Sequence, residues 1–134
     1  EFRDVHRFFQ AALASTAEYA INLSAEPGVQ PHSVIWHWAI VRLSDGRRDA
    51  AVGLLGECDD TPAGELRAAE EALAELHARV LKAHRVPADF AVETRCSSSA
   101  AEALAAPLDL AQAAPNLAAL LACWQKIEFV ITAP

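Results

Sequence analysis

The sequence predicts an α/β fold (α and β elements mixed in one layer system): a mixed five-stranded sheet flanked by helices. Three observations carry that expectation. The stretch "VIWHWAIVRLSDGRRDAAVGLLGE" reads as two strands joined by a turn. A long amphipathic pattern follows it, opened by Thr61-Pro62. Each later strand pattern comes after a helical stretch, which permits parallel pairing through a right-handed crossover, whereas a hairpin enforces antiparallel pairing.

Taken in order, Val5, Phe9, Ala12, Leu13 and Thr16 recur at helical spacing, so residues 3–17 are expected to form an amphipathic helix that adds to the sheet domain. "EYAINLSA" alternates Tyr19, Ile21 and Leu23 against Ala20, Asn22 and Ser24, a period of two that predicts the first strand. Two prolines and a glycine make "EPGVQPHS" a loop. In the next strand, Val34 to Leu43, Val34, Trp36, Trp38 and Ile40 share one face, and Ile35, His37, Ala39, Val41 and Leu43 share the other. Both faces are largely apolar, so this strand should be covered on both sides or in part by a partner. Asp45-Gly46 suits a primed hairpin turn, and Gly53 and Gly56 in the returning strand suggest a bulge or a close backbone approach.

Thr61 is expected to cap the long helix, with Pro62 in its first turn, where a missing N–H costs nothing. Leu66, Ala69, Leu73, Leu76, Val80 and Ala83 form its buried stripe, while Arg67–Glu71 and Glu75–Arg79 pair along the outer face. Val86-Pro87 ends it. "DFAVETR" predicts a strand with Phe90, Val92 and Thr94 on one face. Ser99 with Glu102 suggests a capping box for the next helix, Asn116 a cap for a later one, and "IEFVITA" a closing strand. One domain spanning 1–134 is the expected organisation.

Composition narrows the function. With 53 % hydrophobic and 22 % charged residues the chain is a folded globular protein. No apolar run approaches the ~20 residues of a membrane span, and no basic, apolar and small-residue succession signals secretion. Cys58, Cys96 and Cys123 are odd in number and lack a C-x-x-C pair, so reduced thiols and an intracellular setting are expected. A net charge of −7 opposes autonomous nucleic-acid binding, which draws its affinity from Lys and Arg. Trp36 and Trp38 would offer bases a stacking platform, or else belong to the core. His32 and His37 have no second ligand at metal-binding spacing.

From residue 18 onwards the order of elements resembles the ribonuclease H-like superfamily. "WAIVRLSDGRRDAAVGLLGECDDTPAGELRAAEEALAEL" is similar to that family's second and third strands followed by its T-x-x-x-E-L-x-A helix start, here Thr61, Glu65, Leu66 and Ala69. "VETRCSSSAAEAL" stands where the family carries T-D-S before a helix. Active members hold two Mg²⁺ ions with clustered carboxylates, because hard divalent cations need charged oxygen ligands. The resemblance implies one ligand each from the first strand, the long helix start, the end of the fourth strand and beyond the fifth strand. Matched in that way, Asn22 or Ser24, Glu65, Arg95 and Thr132 occupy the four positions. One acid survives, and Arg95 brings a permanent cation that is expected to pair with Glu65.

The resemblance therefore implies a catalytically inactive domain, without cofactor or metal. It would serve as a structural or protein-interaction module whose partner is another protein or the remainder of a larger parent chain, with a homodimer through Trp or Phe side chains as a further form. A divergent Mg²⁺-dependent nuclease cutting RNA–DNA hybrids is the alternative, in which Glu93 and Asp59 or Asp60 would join Glu65. Glu65 also has a plainer reading, as a first-turn charge complementing the helix dipole.

Overall fold

The computed structural model describes residues 17–132. The expected N-terminal helix lies outside the described residues except for Ala17, as do Ala133 and Pro134. The elements run β1 (Tyr19–Pro27), β2 (Ser33–Arg42), β3 (Arg48–Gly56), α1 (Thr61–Lys82), β4 (Ala91–Cys96), α2 (Ser98–Leu104), α3 (Pro107–Ala113), α4 (Pro115–Ala122) and β5 (Lys126–Ile131), with a 3₁₀ turn at Pro87–Asp89 before β4. The sheet order is β3-β2-β1-β4-β5. β1, β2 and β3 pair antiparallel, while β4 pairs parallel with both β1 and β5. This is the mixed five-stranded sheet that the sequence predicts, and the parallel strands are those reached through helices.

The loop between β2 and β3 departs from expectation. It spans Leu43 to Arg47, and only Gly46 has positive φ, at 73°. A primed turn centred on Asp45-Gly46, of either type, would need positive φ at Asp45 as well or instead. Here Gly46 N–H donates to Arg42 O and Arg47 N–H donates to the Asp45 carboxylate, which closes a wider loop. Gly53 makes a close approach and no bulge, since the β2–β3 register runs unbroken from Ser33↔Gly56 to Val41↔Arg48. A Cβ at Gly53 would sit 2.0 Å from Cζ2 of Trp36, whose ring lies across that backbone.

Strand alternation sorts the side chains into two faces. Ile21, Leu23, Ile40, Val92 and Cys96 share one buried cluster with Ala68, Ala69, Ala72, Leu73, Leu76 and Val80 of α1 and with apolar residues of α2, α3 and α4. That inner face carries the core. Leu66 is only partly buried and Ala83 is exposed at the C-cap, so the buried stripe runs through Ala68 and Ala72 in their place. The expected surface pairs form, Arg67 to Glu71 at 3.5 Å and Arg79 to Glu75 at 2.9 Å, and Arg79 also reaches Asp49 on β3 at 2.6 Å.

Three caps fall elsewhere than the sequence suggests. Asp60 is the N-cap of α1, with Thr61 as its first residue. Ser97, not Ser99, caps α2 by accepting the Ala100 N–H at 3.2 Å. α4 begins at Pro115 behind Ala114, so Asn116 is already helical.

Gly64 shows how tightly α1 starts against the sheet. A Cβ there would meet Val34 Cγ1 at 2.5 Å and Ala25 Cβ at 2.9 Å. Glycine-to-alanine changes inside helices normally stabilise by about 0.5–1 kcal/mol. Gly64→Ala should reverse that sign and destabilise by roughly 1–3 kcal/mol through overpacking, read from urea unfolding midpoints.

Candidate functional site

At the C-terminal end of β4, where β1 and the first turn of α1 converge, lies a cleft of about 400 Å³ lined by Leu23, Ser24, Ala25, Thr61, Pro62, Glu65, Ser97, Ser99 and Thr132. Glu65 is its one acidic residue. Its side chain is carried on the second turn of a helix pressed against β1 and β2, which leaves the residue 8 % exposed. The Ser97 hydroxyl donates to Glu65 Oε2 at 2.5 Å while accepting from Ala100 N–H. One serine thus caps α2 and ties it to α1. The Thr132 N–H donates to Cys96 O at 2.8 Å, which brings the chain beyond β5 to the same corner.

Arg95 does not meet Glu65. It lies on the opposite face of β4, where its guanidinium binds Glu93 at 2.6 and 2.7 Å. The residue that shares Glu65's face at the end of β4 is Cys96, fully buried. Burial, and secondarily the Glu65 charge, pushes the Cys96 thiol up to about 11. The first strand corrects in the same way. Leu23 lies on the inner face with Ile21, and Asn22 between them faces outward, opposite Ala39 on β2 and Arg95 on β4. Ser24 is exposed at the cleft rim. The side chains that gather with Glu65 are therefore those of Leu23, Cys96 and Thr132.

The additional acids do not converge on it. Glu93 is held by Arg95 on the outer face. Asp59 pairs with His32 Nδ1 at 2.8 Å on the surface. Asp60, the N-cap residue of α1, is not among the residues that line the cleft around Glu65. Among the described residues, no group of three or more His, Cys, Asp or Glu side chains could hold a metal ion. Two divalent cations need several charged oxygens within coordination reach, and this donor set offers one carboxylate with hydroxyls. The residues present do not fit a two-metal centre.

Trp36 and Trp38 sit on the inner face and pack half-buried against the core, with Trp36 spread over Gly53. Their faces are engaged within the protein. His37 on the outer face lies 3.3 Å from Glu26. Among the described residues no helix is long and apolar enough to cross a membrane.

The buried thiol gives a checkable pH response. Folding favours the protonated form of Cys96, so its contribution to stability is intact below the ordinary thiol value of 9.0 and is lost as pH rises from there towards about 11. Cys96→Ala should flatten that alkaline decline in denaturation curves. Below pH 9, a thiol reagent should label Cys58 and Cys123, both partly exposed, well before Cys96.

No protein-family model matches the chain, and no curated protein sequence matches it. Solved structures do. RNase H1 from the halophilic archaeon Halobacterium salinarum NRC-1 superposes with a TM-score of 0.59 at 16 % identity, covering 85 % of this chain and 84 % of that one. LC11-RNase H1, described in complex with an RNA/DNA hybrid, superposes with a TM-score of 0.64 at 16 % identity over 85 % and 84 % of the two chains. The N-terminal RNase H domain of rv2228c from Mycobacterium tuberculosis gives 0.57 at 12 % identity over 84 % and 82 %. Identities this low establish architecture alone. With the strand order and helix placement above, they show that the chain has the ribonuclease H-like fold.

Proposed function

We propose that this chain is a catalytically silent ribonuclease H-like domain acting as a structural or protein-interaction module. Its setting is intracellular, within a larger nucleic-acid-processing protein or docked to one. The single observation that carries this reading is the composition of the cleft: Glu65 is its one acid, set among Leu23, Ser24, Ser97 and Thr132 where a two-metal nuclease needs further acids, and the residue behind it at the end of β4 is the buried Cys96. Glu65 acts as a strut, accepting the Ser97 hydroxyl and joining α1 to α2. The net charge of −7 supports a protein partner over autonomous nucleic-acid binding.

A labelled RNA–DNA hybrid incubated with Mg²⁺ or Mn²⁺ tests the reading. No cutting above background is expected from the wild type or from Glu65→Gln. Cutting that disappears in Glu65→Gln would replace this reading with that of a divergent metal-dependent nuclease. The retained Glu65 in an open cleft favours that second reading, and the pairing of Glu93 and Asp59 elsewhere, with Asp60 outside the cleft lining, opposes it.

A further inference from the structure

We infer that the free edge of β3 is a self-association surface, and that a second copy of this chain adds its own β3 to it antiparallel, about a two-fold axis near Gly53. The inference is independent of whether the cleft is catalytic.

β3 ends the sheet, so its nine residues are paired only with β2 among the described residues. A sheet edge presents a row of backbone donors and acceptors, and proteins that stay monomeric usually blunt it with proline, lysine, an inward charge or a bulge. Asp49 near the start of β3 is an inward charge, taken up by Arg79; from Ala50 to Gly56, "AAVGLLG", the strand has none of these, and its register with β2 is continuous. On the outer face Val52 and Leu54 are each 62 % exposed. They are separated by two residues and so stand side by side on one face.

Charge selects the occupant and its direction. Arg47 and Arg48 stand at the start of β3, whereas Glu57, Asp59 and Asp60 follow its end. With Gly53 facing Gly53, an antiparallel second copy sets Arg47 opposite Asp59, Arg48 opposite Cys58 and Asp49, already held by Arg79, opposite Glu57, so the end carrying two arginines lies beside the end carrying three acids. A parallel one stacks like on like, which is destabilising. With Gly53 facing Gly53 of the second copy, Val52 faces Leu54 and Leu54 faces Val52, all on the outer face of one continuous sheet. The two-fold closes the assembly as a dimer, because each copy has one such edge. The opposite edge, β5, carries Lys126 and Glu128.

Sedimentation velocity on the chain from about 1 to 200 µM reads the association directly, over a range that brackets micromolar dissociation constants. The wild type should shift from monomer to dimer across that range. Val52→Lys/Leu54→Lys, made at exposed positions, should remain monomeric throughout with an unchanged circular dichroism spectrum. Should that variant misfold, hydrogen exchange on the wild type serves instead: the β3 amides should gain protection at the high concentration and lose it on dilution. A wild type monomeric at every concentration overturns the inference. So does a dimer that survives the double lysine variant, or β3 protection that ignores concentration.

Discussion

Leu76→Ala is expected to lower the unfolding free energy by about 3 kcal/mol, within the roughly 2–5 kcal/mol range of buried leucine truncations. Leu76 is 0 % exposed and sits in the C-terminal half of the inner stripe of α1, in the cluster that joins the sheet to α2, α3 and α4. The missing atoms lose their transfer energy, and a void remains because neighbours from several elements cannot all close in at once. Urea unfolding should show a lower midpoint with an unchanged slope, and the thermal midpoint should fall by roughly 10 °C. An effect below about 1 kcal/mol would mean that α1 packs less closely than described.

Ser97→Ala should follow, with a loss of about 2–3 kcal/mol, although the side chain removed is small. Two interactions go together. α2 loses its N-cap bond to Ala100 N–H, for which about 1 kcal/mol is usual. The Glu65 carboxylate, almost wholly buried, loses the hydroxyl that donates to it, and an unsatisfied buried acceptor costs about 1–3 kcal/mol. A double-mutant cycle with Glu65→Leu isolates the second part. The two changes should be non-additive by at least roughly 0.5 kcal/mol, since removing the acceptor relieves the cost of removing its donor. Strict additivity would contradict the strut role of Glu65.

Much of this fold is legible in the sequence because its elements declare their periods. Strands β1 and β2 alternate, α1 steps by three and four, and the crossover helices separate strands that then pair parallel. What escapes is local. Ser97 and Ser99 both carry hydroxyls before α2, and only the end of β4 decides that Ser97 is the cap. The loop after β2 contains Asp45-Gly46, yet the five residues between the strands give it a wider closure than that dipeptide alone suggests.

The corner of the site illustrates how a single position matters in a strand. Matching "E-T-R-C" to a T-D-S pattern places Arg95 beside Glu65, but a shift of one residue sends a side chain through to the other face. The signal that corrects it is present in the sequence. If Phe90, Val92 and Thr94 share the inner face, the next residue there is Cys96. By the same parity Tyr19 and Ile21 lead to Leu23, with Asn22 turned away. Glu65 is the one acid lining the cleft under either match, while the residues beside it change. A leucine, a buried thiol and a threonine stand near Glu65, and the arginine neutralises Glu93 on the far side of the sheet.

That arrangement makes cation binding the most direct test. Titration of the wild-type chain with Mn²⁺, followed by the paramagnetic resonance signal of the free ion, should reveal no saturable site tighter than about 1 mM. The curve for Glu65→Gln should superimpose on it. Uptake of one or two ions per chain at lower concentration, abolished by Glu65→Gln, would contradict the account of the cleft as a site that has lost its metal ligands.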